Sequence, residues 1–162
     1  ARWREAPVHA WVGLGANLGD APTTLAWAVQ ALATLPGCED LVCSGLYRSA
    51  PVEALGPDFY NAVVRFQTRL TAPDLLTQLQ ALEQAQGRER PYRNAPRTLD
   101  LDLLAYGDAR MTSARLQLPH PRLHTRAFVL RPMAEIDPQA VGAQALAAVA
   151  DQRIERLPGA FA

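Results

Sequence analysis

The sequence predicts an α+β domain built on an antiparallel sheet. Over the first 106 residues, alternating apolar runs and capped amphipathic runs follow one another as β-α-β-β-α-β. A composition of 49% apolar and 20% charged residues in 162 suits one globular domain with a substantial core. That order is the ferredoxin-like plan, both helices lying on one face of the sheet, here followed by a C-terminal extension. A single domain is expected over residues 1–162, with 1–7 as a poorly structured lead-in.

The elements are justified in turn. His9 to Gly15 reads as a first strand, and the glycines of Gly13-Leu14-Gly15-Ala16-Asn17-Leu18-Gly19 read as a tight strand-to-helix turn. Ala21-Pro22 opens a helix whose Leu25, Ala28, Val29, Leu32 and Leu35 share one face, and Pro36-Gly37 stops it. Leu41 to Ser49 is a second strand, residues 50–58 a loop rich in Pro and Gly, and Tyr60 to Leu70 a third, half-buried strand. Thr71-Ala72-Pro73-Asp74 is a capping box for a second helix with Leu75, Leu76, Leu79 and Leu82 as its stripe and Gly87 as its end. Residues 88–96 form a polar loop into the strand Arg97–Gly107. Beyond it come a hairpin to Leu118, a Pro119-His120-Pro121 turn, a helical turn at Leu123–Arg126, a short strand at Phe128–Leu130 before Pro132, and a helix from Ala143 to Gln152.

The chemistry concentrates in the strand after Arg97. Side chains alternate along a strand, so Asp100 and Asp102 share one face while Leu99, Leu101 and Leu103 take the other. Two neighbouring carboxylates repel and need a cation, an Arg, a metal or both. An Asp-x-Asp can also stand on the solvated face of an edge strand. Arg88, Arg90, Arg93 and Arg97 fall within ten residues just upstream, and this favours a metal and phosphate platform.

Charge supports that reading by its distribution. The net charge is zero, which gives no global pull towards nucleic acid or membrane. Yet residues 88–131 hold nine Arg against four acids, and all sixteen basic residues of the chain are Arg. Without Lys, Walker-type phosphate loops and Schiff bases are excluded, and phosphate must be gripped by the planar guanidinium fork. The glycine run does not have the G-x-G-x-x-G spacing of a dinucleotide site. Cys38 and Cys43 form no disulfide framework, the first ten residues lack the apolar centre of a signal peptide, and a cytoplasmic protein is expected.

Several of these stretches together carry a resemblance. Gly87-Arg88-Glu89-Arg90, Pro96-Arg97-Thr98-Leu99-Asp100-Leu101-Asp102, and Pro119-His120-Pro121 with Arg126 and Phe128 are its most specific parts. Gly13-Leu14-Gly15-Ala16-Asn17-Leu18-Gly19, Leu46-Tyr47-Arg48-Ser49 and Phe59-Tyr60-Asn61-Ala62 fit as well. The chain resembles the 6-hydroxymethyl-7,8-dihydropterin pyrophosphokinase family of folate biosynthesis, from about Val8 to Gln152.

The resemblance implies transfer of the β,γ-diphosphate of ATP to the pterin hydroxymethyl oxygen by a monomeric enzyme acting on small molecules. It implies that Asp100 and Asp102 hold two Mg²⁺ ions and that Arg88 and Arg97 are catalytic. By the same similarity Gln80, Glu83, Arg88, Arg90, Leu103, Arg115, His120 and Arg126 line the ATP site. The pterin is expected between Phe128 and an aromatic of Phe59-Tyr60, with Asn61, Asp100 and the segment of Ser49, Ala50 and Val52 reading its edge. The chain departs from the family pattern at Asn94-Ala95, where Trp-Gly is common, which shifts an aromatic role to Tyr92, and at Ala50, often Pro. Two rivals share the Asp pair or the fold: a two-metal phosphodiesterase, and a small-molecule or RNA-binding module without turnover.

Overall fold

A computed structural model of the chain describes residues 3–50, 56–87, 99–159 and 161. The expected mixed architecture is found: an antiparallel sheet with helices packed on it. Strand β1 (Trp3–Ala16) pairs antiparallel with β4 (Phe59–Leu70) on one side and β5 (Asp100–Tyr106) on the other. Strands β2 (Cys38–Cys43) and β3 (Tyr47–Ser49) pair with successive halves of β4, and β8 (Glu155–Arg156) adds to β3. A separate hairpin joins β6 (Met111–Thr112) to β7 (Gln117–Leu118).

Helices α1 (Ala21–Ala33) and α2 (Ala72–Gly87) cover one face. Asp20 caps α1 by accepting from the Thr23 N–H at 3.3 Å, and Thr71 Oγ1 accepts from the Asp74 N–H at the start of α2, also at 3.3 Å. Leu25, Leu32, Leu75 and Leu79 are fully buried beneath them against Val12, Leu14, Val64 and Phe66 of the sheet. Each such leucine contributes roughly 1.5–3 kcal/mol by leaving water. The opposite face is covered in part by α3 (Ala127–Ile136) and α4 (Ala143–Ala148), which enclose Trp11, Val63, Leu104, Leu130 and Met133. The sheet thus has a core on each side, and its second face is only partly roofed.

Three sequence expectations are corrected. Phe128–Leu130 is helix, not strand. Pro132 sits inside α3 and forfeits one backbone bond, but Ala127, Val129, Leu130, Pro132 and Met133 are all buried, and this burial outweighs the proline's cost. The first strand begins at Trp3, so residues 3–7 are extended rather than loose. Trp3 pairs with Leu70, the ladder slips before resuming at Val8 and Thr68, and the Arg69 guanidinium donates to the Glu5 carbonyl. The strand expected over Leu41–Ser49 is broken in two at Ser44–Leu46, where Ser44 Oγ accepts from the Val63 N–H at 3.0 Å in place of a ladder bond.

Candidate active site

The site grows from the partly roofed face of the sheet. In the register of β5, β1 and β4, Asp100 lies beside Gly15 and Gly15 beside Asn61, while Asp102 lies beside Gly13 and Gly13 beside Val63. Both aspartates are exposed and alternate with buried Leu101 and Leu103, as the two-residue period requires. Gly13 and Gly15 therefore belong to the strand, as the strand expected over His9 to Gly15 has them, and of the glycines in that run Gly19 alone, at φ +59, takes a turn conformation. Lacking side chains, they leave a trough between the carboxylates and Asn61. The trough widens into a cleft of about 650 Å³.

One wall of the cleft carries Asp100 and Asp102, the other Ser49, Ala50 and Phe59. Its roof is the start of α3, with Arg126 and Phe128, and the segment Gln152–Ile154. Arg126 holds its guanidinium carbon 5.2 Å from the centre of the Phe128 ring, a cation–π contact that orients both. Asn61 is only 7% exposed, and its Oδ1 has no hydrogen-bond partner among the described residues. A buried carbonyl oxygen left without a donor costs about 1–3 kcal/mol. That cost is recovered if a ligand brings an N–H to it.

The sequence-expected residues divide into two groups. Ser49, Ala50, Phe59, Asn61, Asp100, Asp102, Arg126 and Phe128 line the cleft together. Tyr60 does not; it packs towards the α1–α2 core, so Phe59 is the aromatic on the cleft side. Leu103 is buried in that same core. Gln80, Glu83 and Arg115 lie along the outer side of β5, where Arg115 Nη2 donates to Thr77 Oγ1 at 2.6 Å and to Gln80 Oε1 at 3.5 Å. Glu83 Oε2 accepts from the Leu101 N–H at 2.8 Å, so a helix carboxylate satisfies the strand's outward backbone between the two aspartates. Arg88, Arg90, Arg93, Arg97, Tyr92, Asn94-Ala95 and Val52 lie outside the described residues.

His120 joins the second group. Its backbone N–H donates to the Leu104 carbonyl at 2.9 Å, and its ring Nδ1 accepts from the Arg122 backbone N–H at 3.1 Å. Burial pushes its pKa below the usual histidine value, opposed by the charge of Asp102 and assisted by Arg126 and Arg122. An Nδ1 that accepts a bond leaves Nε2 as the protonated nitrogen of the neutral ring.

The donor set fits a hard divalent cation. Asp100 and Asp102 present carboxylate oxygens on one face, and among the described residues no third His, Cys, Asp or Glu joins them. Two carboxylates without a protein cage are the arrangement in which Mg²⁺ keeps waters and takes phosphate oxygens from its substrate.

Sequence reasoning missed Gln152, Arg153 and Thr125. They sit in the last third of the chain, where a polar residue after an Ala-rich helix gives no sign that the backbone returns to the cleft.

The family profile of 7,8-dihydro-6-hydroxymethylpterin-pyrophosphokinase (HPPK) matches residues 11–138. A Pseudomonas aeruginosa protein named 2-amino-4-hydroxy-6-hydroxymethyldihydropteridine pyrophosphokinase is 41% identical over 157 residues, 93% of this chain and 97% of its own. The Synechocystis protein of that name is 46% identical over 127 residues, 78% of this chain, and the matched part spans 65% of its length. A crystal structure of Plasmodium falciparum HPPK-DHPS shares the fold, with a TM-score of 0.61 at 13% identity over 81% of this chain and 41% of that one.

Proposed function

Because this chain belongs to the 7,8-dihydro-6-hydroxymethylpterin-pyrophosphokinase family, we propose that it transfers the β,γ-diphosphate of ATP to the hydroxymethyl oxygen of 6-hydroxymethyl-7,8-dihydropterin. The products are AMP and the pterin diphosphate, in a step of tetrahydrofolate biosynthesis. One observation carries the reading: Asn61, whose buried Oδ1 is orphaned among the described residues, lines the same cleft as the Asp100–Asp102 pair, with aromatic rings at Phe59 and Phe128. A flat heterocycle with ring N–H donors fits between the rings and satisfies Asn61, and its hydroxymethyl arm then points along the trough towards the carboxylates.

The chain's own residues act mainly by positioning and charge. Phe59 and Phe128 sandwich the ring, Asn61 fixes its rotation, and Ser49 and Ala50 close its edge. Arg126, held against Phe128, lies where the nucleotide's phosphates meet the pterin. Asp100 and Asp102 would hold two Mg²⁺ ions, which when bound neutralise and align the ATP phosphates. Arg88, Arg90 and Arg97 flank that strand in the sequence, Arg97 three residues ahead of Asp100, and are assigned to the triphosphate; Arg88 and Arg97 stabilise charge as the bridging bond breaks. Gln80, Glu83, Arg115 and His120 lie beside β5 and would line the nucleotide, with Leu103 contributing backbone only.

The strand order β5-β1-β4-β3, with β2 also on β4, supports the ferredoxin-like plan, and α3, α4 and β8 form its C-terminal extension. Free thiols at Cys38 and Cys43 support a reducing, cytoplasmic setting, and the enzyme is proposed to work as a monomer on small molecules alone.

Incubation with ATP, Mg²⁺ and 6-hydroxymethyl-7,8-dihydropterin, resolving AMP from ADP, tests the reading. AMP and a pterin diphosphate formed in equal amounts are expected. ADP would make the protein an ordinary kinase, and the absence of nucleotide turnover by folded protein would overturn the proposal.

A further inference from the structure

Gln152 lies fourteen residues beyond the end of the family-profile match at residue 138, yet it touches the roof of the cleft. Its Oε1 accepts from the Ala127 N–H at 2.8 Å, and its Nε2 donates to the Thr125 carbonyl at 2.9 Å. These two backbone groups bracket Arg126 on either side. One carboxamide therefore fixes both peptide planes that set the direction of the Arg126 side chain.

The geometry also bears on Phe128. Arg126 is the N-cap of α3, extended at φ −127 and ψ 117, and it makes no side-chain cap bond of its own. The first N–H groups of a helix have no intrahelical acceptor, and the Ala127 N–H is such an orphan. Gln152 supplies that acceptor from another segment of the chain. Loss of the clamp frees the first turn of α3, and with it the Arg126–Phe128 pair, which stands 5.2 Å apart.

We infer that Gln152 is a positioning residue: it holds Arg126 and Phe128 in the orientation that binds nucleotide phosphate and pterin. This rests on the pyrophosphokinase reading above. It assigns the C-terminal extension a part in substrate binding, in addition to its packing.

Gln152→Met keeps the side chain's length and removes both bonds. Gln152→Glu keeps the acceptor towards Ala127 and, ionised, loses the donor towards Thr125. The wild-type protein is assayed first for AMP formation, and each variant is then compared by steady-state kinetics, fluorescence titration of the pterin and thermal unfolding. Two lost hydrogen bonds at an exposed position predict a rise of about three- to tenfold in KM for both substrates in the Met variant, with kcat within about twofold. The Glu variant should fall between it and wild type. KM values within twofold of wild type in a folded Met variant overturn the inference and leave the pyrophosphokinase reading standing. So does a lowered melting temperature with unchanged affinity in both variants. If Gln152→Met does not fold, Gln152→Glu decides alone, unchanged KM values again overturning the inference. A wild-type protein that forms no AMP overturns the functional reading and this inference with it.

Discussion

Gly15 and Asn61 stand opposite each other in the β1–β4 ladder, and a methyl group at Gly15 would lie 3.0 Å from Asn61 Nδ2. The glycine is thus part of how the amide is aimed. Gly15→Ala should push the Asn61 carboxamide aside by a few tenths of an ångström, and the cleft floor would rise between it and Asp100. The expected outcome is pterin affinity weakened by about three- to tenfold, the worth of one misaligned hydrogen bond, with nucleotide affinity unchanged. Parallel titrations of the two ligands check this, and equal losses for both would contradict it.

Asp102 is exposed on the cleft side of β5 and makes no contribution to either core. Asp102→Ala should lower kcat by at least about a hundredfold, since charge on a transferring phosphoryl group is worth several kcal/mol, while the melting temperature stays within a few degrees. Circular dichroism and the AMP assay on the same sample separate the two effects. Near-wild-type turnover would remove the metal platform from the mechanism.

Arg97, three residues ahead of Asp100 in the sequence, is proposed to act on the transition state rather than in binding. Arg97→Ala should depress kcat by about two orders of magnitude and change nucleotide affinity by less than about fivefold. An effect on nucleotide binding alone would reassign it to ground-state positioning.

Glu135 ties the extension to the sheet. It accepts from the Gly45 N–H at 2.9 Å, Tyr47 Oη at 2.7 Å and Arg156 at 3.1 Å. Burial works to raise its carboxyl, but the bonds from Arg156, Tyr47 and Gly45 hold it below the ordinary glutamate value. The folded state therefore binds the proton less readily than the unfolded chain. The stabilisation is complete above the unfolded value near 4.5 and is lost as pH falls through the lower, folded one. Glu135→Gln should melt earlier than wild type at pH 7, and the gap should narrow below pH 4.5. Thermal melts across that range measure it; a gap independent of pH would deny the carboxylate its part.

Cys43 is half-buried, and desolvation, with the charge of Glu135 adding to it, pushes its thiol up to about 12. At pH 8 the thiolate fraction is then on the order of one in ten thousand, against about a quarter for a free cysteine. Alkylation by iodoacetamide followed by peptide mass analysis should leave Cys43 unmodified until the protein is unfolded. Rapid labelling of the native protein would contradict the burial.

Much of this site was legible in the sequence because its signals are local. The two-residue period put Asp100 and Asp102 on one face before any fold was known, and Ala21-Pro22 and the cap at Thr71 marked the starts of both helices of the first core. Phe128 was legible as a site residue but not as a helical one: its aromatic and β-branched neighbours favour a strand, and only burial against Trp11 and Leu104 reverses that preference. Gly13 and Gly15 were legible as the end of the first strand and the beginning of a turn signal; their place across from the aspartates depends on register, which no single strand encodes. Gln152 was invisible for the same reason, since its partners lie more than twenty residues away.

Strand β5 carries one residue more than its partner requires. Trp11 pairs with Ala105 but Val12 pairs with Leu103, so Leu104 is extra, and it faces the same core as Ala105. Ahead of the bulge, odd-numbered side chains enter the α1–α2 core; behind it, the even-numbered Tyr106 does, its hydroxyl donating to the Leu70 carbonyl at 2.7 Å. The strand therefore changes phase midway. A chain shortened by one residue at Leu104 would have a regular ladder and a choice between two misplacements: Tyr106 turned out of its core, or both carboxylates turned into it. A single added residue lets one strand bear charge at one end and close a hydrophobic core at the other.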